Sequence, residues 1–400
     1  MTDYLSGGPI QDEYTILTDL KIWDGEHSLE ADTLILKGSR ISSLSHRSAL
    51  SGAERRIARS MAGLTALPGL MDAHVHMVLD PNRSTPPAAD ELPDPDAMRE
   101  RAAMMVRAGI TTARDLGGGA WFEVSLRNAI NAGEVPGPRL LCSGQPVTCS
   151  GGHCHFWGGE AADADAAKGV IDRQVEHAVD LVKVMATGGR FTRGSRPHAP
   201  QFELPVLTEI VDYARTQGLS VAAHCHGTPG IDAAVRAGVH SIEHCSWVGD
   251  DGWASNYQVE VVEAMLERGT WVSPTINAGW QRMLDANNKT LTRMRAALID
   301  MRALGVPFMA STDAGIPGVF HHDLPKALGV YGKVAELTAL EVLRSATSAA
   351  ARGLGIDGLT GRLAGGLEAD VLVVDGDPLE SLDALARPVA VWARGRPVRA

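Results

Sequence analysis

Residues 207–227 read LTEIVDYARTQGLSVAAHCHG. Leu207, Ile210, Val211 and Ala214 recur at the spacing of one helical face, the pattern stops at Gly218, and an apolar run over 219–223 leads into His224. Glycine just past a helix takes the left-handed cap conformation without a Cβ penalty. The apolar run after it has the character of a strand buried on both faces. The same order recurs along the chain: the helical stretch 99–108 stops at Gly109 before Ile110, Thr111 and Thr112, and Gly238, Gly269 and Gly305 punctuate further units. Helix and strand alternating in this way build an α/β fold with a parallel sheet. Strand starts fall near Leu67, Ile110, Arg139, Leu181, Ser220, Val239, Thr270 and Val306, and eight such units close a (β/α)8 TIM barrel.

The flanks follow a different grammar. Residues 15–45 and 370–398 lack intervening helices and carry turn signals at Asp24-Gly25, Lys37-Gly38, Asp375-Gly376 and Arg394-Gly395. They predict a small β-sandwich assembled from both termini. The chain therefore divides into 1–66 (N-terminal part of the sandwich), 67–356 (barrel) and 357–400 (C-terminal part). Residues 80–96, rich in Pro and Asp, read as a long loop over the barrel mouth.

With 400 residues, 44% of them apolar, the chain can bury one large core and a smaller second one. A net charge of -11 argues against a nucleic-acid partner and leaves a small-molecule substrate. Residues 1–10 show no basic stretch followed by an apolar run, and no segment is apolar over the length needed to cross a bilayer. A cytoplasmic chain without membrane contact is expected, and a homo-oligomer is compatible with this. Five cysteines, an odd number in a long chain, argue against a disulfide framework.

Four histidines fall at the ends of predicted strands. His74 and His76, two apart, project to one side of the first strand; His224 closes 221–223, and His244 follows Ile242 and Glu243. Barrel enzymes place their active sites at this end of the strands, and neutral imidazole is a common zinc ligand. A single histidine of this kind is usually a satisfied core residue, but four at one end of one barrel are not easily explained so. Asp313, in Ser311-Thr312-Asp313-Ala314-Gly315, ends the eighth strand, where a carboxylate can bind a metal and exchange a proton. Lys183 sits in the apolar run Leu181-Val182-Lys183-Val184-Met185, where an unpaired ammonium group costs several kcal/mol. A salt bridge to Asp115 or Glu243 would neutralise it. So would reaction of the amine with carbon dioxide, giving a carbamate able to bridge two metals.

These motifs, with Pro68-Gly69-Leu70-Met71-Asp72-Ala73-His74-Val75-His76 and Met185-Ala186-Thr187-Gly188-Gly189, resemble the amidohydrolase superfamily over nearly the whole chain. The resemblance is closest to the prolidase-like (Xaa-dipeptidase) group, whose studied members cleave dipeptides or N-acyl amino acids. It implies a binuclear site: His74, His76 and Asp313 on a buried divalent metal, His224 and His244 on an exposed one, and Lys183 bridging as a CO2-derived carbamate. Zinc is the expected metal, and manganese, cobalt or iron also suit these donors. A water between the metals would lose its proton near neutral pH and attack a carbonyl, Asp313 would shuttle the proton to the leaving amine, and His153 or His155 would stabilise the oxyanion. His226 stands where many relatives carry a substrate-touching tyrosine. His226, Arg190, Arg193, Arg196 and His321 are candidates for holding substrate. Cys154, Cys225 and Cys245 flank histidines but are expected to pack, as are Trp157, Trp247 and Trp280.

The leading expectation is a metal-dependent amidohydrolase acting on a dipeptide or N-acyl amino acid. The same site would serve a cyclic amide, carbamate, lactone or phosphoester, since substrate choice lives in the loops. A non-catalytic scaffold is disfavoured because every ligand position is filled.

Overall fold

The computed structural model describes residues 14–399 except 89 and 287; the leader-like features sought in residues 1–10 lie outside the described residues. Seven parallel strands position the site: β1 (Leu70–Val75), β2 (Ile110–Asp115), β3 (Arg139–Cys142), β4 (Val182–Met185), β5 (Val221–Gly227), β6 (Ser241–Val248) and β7 (Trp271–Ser273). Each is followed by at least one α-helix before the next begins. Gly109, Gly218, Gly238, Gly269 and Gly305 all adopt left-handed φ, between 67° and 97°, as helix termination before a strand requires. The helix Pro95–Arg107 starts where Asp94 accepts hydrogen bonds from the backbone N–H groups of Asp96 and Ala97, with Pro95 in the first turn. That start ends the long loop after β1.

The strands pair as two parallel sheets, β3-β2-β1 and β4-β5-β6-β7. A parallel bridge between Val147 and Val184 ties the chain after β3 to β4, and bridges from Val272 to Phe308 and from Val75 to Ala314 tie residues 306–314 to both β7 and β1. The strand expected near Val306 is thus an extended segment held by single bridges. Pro307 has no N–H to offer a ladder, and Asp313 takes a left-handed φ of 62°, which turns the backbone out of register. β1, β4 and β5 are buried along their whole length, as parallel strands covered by helices must be.

The two ends of the chain meet in two further sheets. One orders Arg40–Ser45, Thr33–Lys37, Tyr14–Thr18 and Arg59–Ser60; the other orders Arg396–Pro397, Pro388–Ala393, Val371–Asp375, Leu64–Pro68, Lys21–Trp23 and Ser28–Leu29. Leu17, Leu34, Ile22, Val373 and Trp392 from both sheets share one apolar cluster. Leu67 therefore does not open the first parallel strand: it pairs antiparallel with Leu372, and β1 begins three residues later at Leu70. Apolar residues dominate both sides of Pro68-Gly69, from Leu64 to Leu67 and from Leu70 to Val75, so periodicity does not tell which sheet each side joins. Among the described residues no helix is long and apolar enough to cross a membrane.

Candidate metal centre

His74, His76, Lys183, His224, His244 and Asp313 line one cavity of about 690 Å³, together with His153, Arg190 and His226. They arrive from β1, β4, β5, β6 and the 306–314 segment, all at the same end of the parallel strands. His244 and Asp313 both have left-handed backbones, with φ of 67° and 62°. Non-glycine residues hold that conformation at a cost on the order of 1–3 kcal/mol, and it concentrates at functional sites.

The proton positions follow from the partners. His74 Nδ1 lies 2.9 Å from the Glu243 carboxylate and His76 Nδ1 lies 3.1 Å from the Gly117 carbonyl oxygen. Both partners are acceptors only, so both Nδ1 atoms carry the hydrogen and donate. In the neutral rings the Nε2 atoms are lone pairs, and each sits 3.4 Å from Asp313 Oδ1. Burial, reinforced by Lys183, pushes the His74 imidazole down to about 4, so it stays neutral near pH 7. Burial opposes ionisation of Asp313, but positive charge nearby, Lys183 included, outweighs it and holds the carboxyl well below its usual range. Lone pairs of three donors thus converge with no proton between them. That arrangement is repulsive by itself and fits a cation.

The second cluster is imidazole only. His224 Nε2 lies 3.1 Å from the Gly188 carbonyl, which again only accepts, and this leaves Nδ1 as the free donor atom. His244 Nδ1 is held by Thr275 Oγ1 at 2.8 Å. Ligand atoms of His224, His226 and His244 lie within 4.8 Å of one another, as do those of His74, His244 and Asp313, so His244 belongs to both groups. Lys183 lines the same cavity, 1% exposed and without a salt bridge among the described residues. Burial pushes its amine down to about 8, with Glu243 and Asp313 resisting from a distance.

Neither carboxylate named as a partner for Lys183 is paired with it. Asp115 accepts from the backbone N–H groups of Met77 and Gly117 at 2.7 and 3.0 Å. Glu243 accepts from His74, from Arg114 Nη2 at 2.8 Å and from Ser241 Oγ at 2.6 Å. Arg114 also donates through Nε to the Ala73 carbonyl at 2.7 Å. Reading the strands one at a time did not reveal this buried Arg114–Glu243–His74 chain, because its members come from three strands. Asp72 was missed for the same reason. It accepts from Thr312 Oγ1 at 2.5 Å and from the Thr312 and His74 backbone N–H groups, tying the strand of His74 to the segment of Asp313. The only sequence signal for either residue is an acid inside an apolar strand.

The loop candidates separate. His153 is buried against His224, ring centroids 4.6 Å apart, and burial with Lys183 lowers it to about 3. A Cβ on Gly189 would lie 2.4 Å from His153 Nε2, which is the packing reason for glycine in the Thr187-Gly188-Gly189 turn. His155 is half-buried against Phe156 and lies outside the cavity lining. Arg190 is exposed at the cavity, whereas Arg193 and Arg196 are exposed away from it. His321 lies beneath the site: it is buried, and its Nε2 sits 3.0 Å from the His76 carbonyl oxygen. It is not among the residues that line the cavity. Cys225 and Cys245 pack in the main core, and Cys154 borders the cavity with its thiol pushed by burial to about 12. Trp157 and Trp280 line the cavity, while Trp247 is fully buried in the core.

Residues 65–398 match the sequence profile of the amidohydrolase family. An ochratoxinase of Aspergillus niger is 28% identical over 374 residues, which cover 82% of this chain and 75% of the relative. A Xaa-Pro dipeptidase with methionine bound in its active site superposes with a TM-score of 0.84 at 24% identity, covering 97% of this chain and 100% of the other, a likeness of fold. A prolidase complexed with N-methylphosphonate-L-proline superposes with a TM-score of 0.80 at 25% identity, again covering 97% and 100%.

Proposed function

This chain belongs to the amidohydrolase family, and we propose that it is a hydrolase that uses two divalent ions to cleave an amide bond of the dipeptide or N-acyl amino acid type. The observation that carries the reading is the convergence of His74 Nε2, His76 Nε2 and Asp313 Oδ1 as lone pairs, beside a second group of imidazoles and an unpaired buried amine. We read residues 306–314 as the eighth strand of a (β/α)8 barrel and the two terminal sheets as a β-sandwich, with the domain boundary between Pro68 and Leu70.

In this reading His74, His76 and Asp313 would hold the inner ion and His224 and His244 the outer one, with Lys183, carboxylated by CO2, as a further ligand. Zinc fits these donors, as do manganese, cobalt and iron. When bound, the ions supply Lewis acidity toward a water and toward the scissile carbonyl. The rest of the chemistry falls to the protein's own side chains. Asp313, ionised at neutral pH, accepts the proton of the attacking water and returns it to the departing nitrogen. His153, neutral and fixed between Gly189 and His224, donates an N–H to the oxygen as its charge grows. Arg190 at the rim pairs with a substrate carboxylate through its planar fork. The substrate is a small molecule met in the cytoplasm.

The test is metal analysis of the purified protein together with a panel of dipeptides and N-acyl amino acids set against lactones and aryl phosphoesters, with and without chelator and bicarbonate. About two ions per chain and chelator-sensitive amide cleavage are expected. Cleavage of the esters alone, or amide cleavage indifferent to chelator, would refute the proposal.

A further inference from the structure

The position of His226 in the sequence suits a substrate contact, yet its surroundings are those of a ligand. It lies two residues after His224 on β5, so the two side chains leave the strand on the same side. Its backbone N–H donates to Thr187 Oγ1 at 3.0 Å, which anchors the strand where its register with β6 shifts between Cys225 and Gly227. Its Nδ1 is held by Ser246 Oγ at 2.9 Å, the kind of outer partner that fixes a metal-binding imidazole and leaves Nε2 as the free donor atom. The ring packs edge-on against Trp253, with centroids 4.8 Å apart, and nearly parallel to His244 at 4.6 Å. Little rotation is left to it. The buried ring faces the imidazoles of His224 and His244 and has no carboxylate or guanidinium hydrogen-bonded to it among the described residues.

We infer that His226 is a ligand of the outer divalent ion, forming with His224 and His244 a three-imidazole donor set whose ligand atoms already lie within 4.8 Å of one another. Three protein nitrogens plus one open position is the donor count of a catalytic zinc site.

This inference rests on the metal-dependent reading above, and the experiment separates the two. Chelator-stripped protein is titrated with Co(II), following the visible ligand-field spectrum and the binding isotherm, for wild type, His226→Asn and Ser246→Ala. Circular dichroism and the first, inner equivalent report whether each variant has folded. The inference expects His226→Asn to keep the inner ion, to bind the second at least about 100-fold more weakly and to lose the spectrum of the second ion. It expects Ser246→Ala, which removes only the outer partner of Nδ1, to weaken the second ion about 10-fold. Two ions bound by His226→Asn with wild-type affinity and an unchanged spectrum would overturn the inference alone, and a fall in kcat/KM with that result would return His226 to the substrate. Should His226→Asn not fold, an unchanged second affinity in Ser246→Ala overturns it. Wild type that binds no ion overturns the metal-dependent reading and the inference together.

Discussion

Replacing Lys183 by methionine should make the metal-free protein more stable. The side chain is 1% exposed and has no salt-bridge partner among the described residues, and burial lowers its amine from 10.5 to about 8. At about 1.4 kcal/mol per pH unit, a shift of that size costs the folded protein about 3 kcal/mol when the amine is protonated. Between the two pKa values the unfolded chain binds a proton that the folded chain does not, so stability rises with pH there. The cost is therefore full below pH 8 and fades as the pH approaches 10.5. Methionine nearly matches lysine in volume and carries no charge. Chelator-treated wild type and Lys183→Met would be unfolded in urea in CO2-free buffer, where no carbamate can form, at neutral pH and near pH 10. The variant should be about 3 kcal/mol more stable at neutral pH and about 1 kcal/mol or less near pH 10. Groups out of reach of Lys183 are shared and cancel in the difference; its charge also acts on His74, Glu243 and Asp313, whose ionisation lies well below both pH values. If Lys183 were held by a buried ion pair, the variant would instead lose about 3–5 kcal/mol at neutral pH. A loss of that kind, or a gain that does not shrink with pH, would refute the reasoning.

Glu243→Gln leaves Arg114 without its counter-charge and His74 without an anionic acceptor. It should destabilise the metal-free protein by about 3 kcal/mol and weaken inner-ion binding about 10–100-fold by calorimetry; unchanged affinity would show that His74 needs no orienting partner. Gly189→Ala drives a methyl group into the His153 ring and should lower kcat roughly 100-fold with metal content unchanged. Wild-type kcat would remove His153 from the reaction. Metal-free protein should lose stability steeply on acidification. Burial lowers His74 to about 4 and His153, His226 and His321 to about 3, and it holds His224 and His244 well below the ordinary imidazole value. Each of these adds stability above pH 6.5 that is lost as the pH falls toward its folded value. Asp72, Asp115 and Glu123, raised by burial to about 7, 6 and 8, act the other way from those values down to about pH 4, but they are outnumbered. A melting temperature of the apo protein that stays flat from pH 7 to 5 would contradict this balance.

The sequence alone determined which residue types stand at strand ends. A helix that stops at glycine before an apolar run is a local signal, and so is the count from His74 to His76, from the glycine-terminated helix to His224, or from Thr312 to Asp313. These depend on chain periodicity, which a linear reading supplies. The change of sheet at Gly69 was hidden because Leu67 and Leu70 on its two sides are equally apolar whichever sheet they join. Only the tertiary structure decided which side chains face one another. Glu243 could be assigned to Lys183 or to His74 until Arg114 was brought beside it from β2. His226 could point at substrate or at His224 and His244 until Ser246 fixed its ring. The loop residues His155, Arg193, Arg196 and His321 looked as suitable as His153 and Arg190. Past a strand end, side-chain direction is set by left-handed turns and by hydrogen bonds to distant segments, and neither is encoded in spacing.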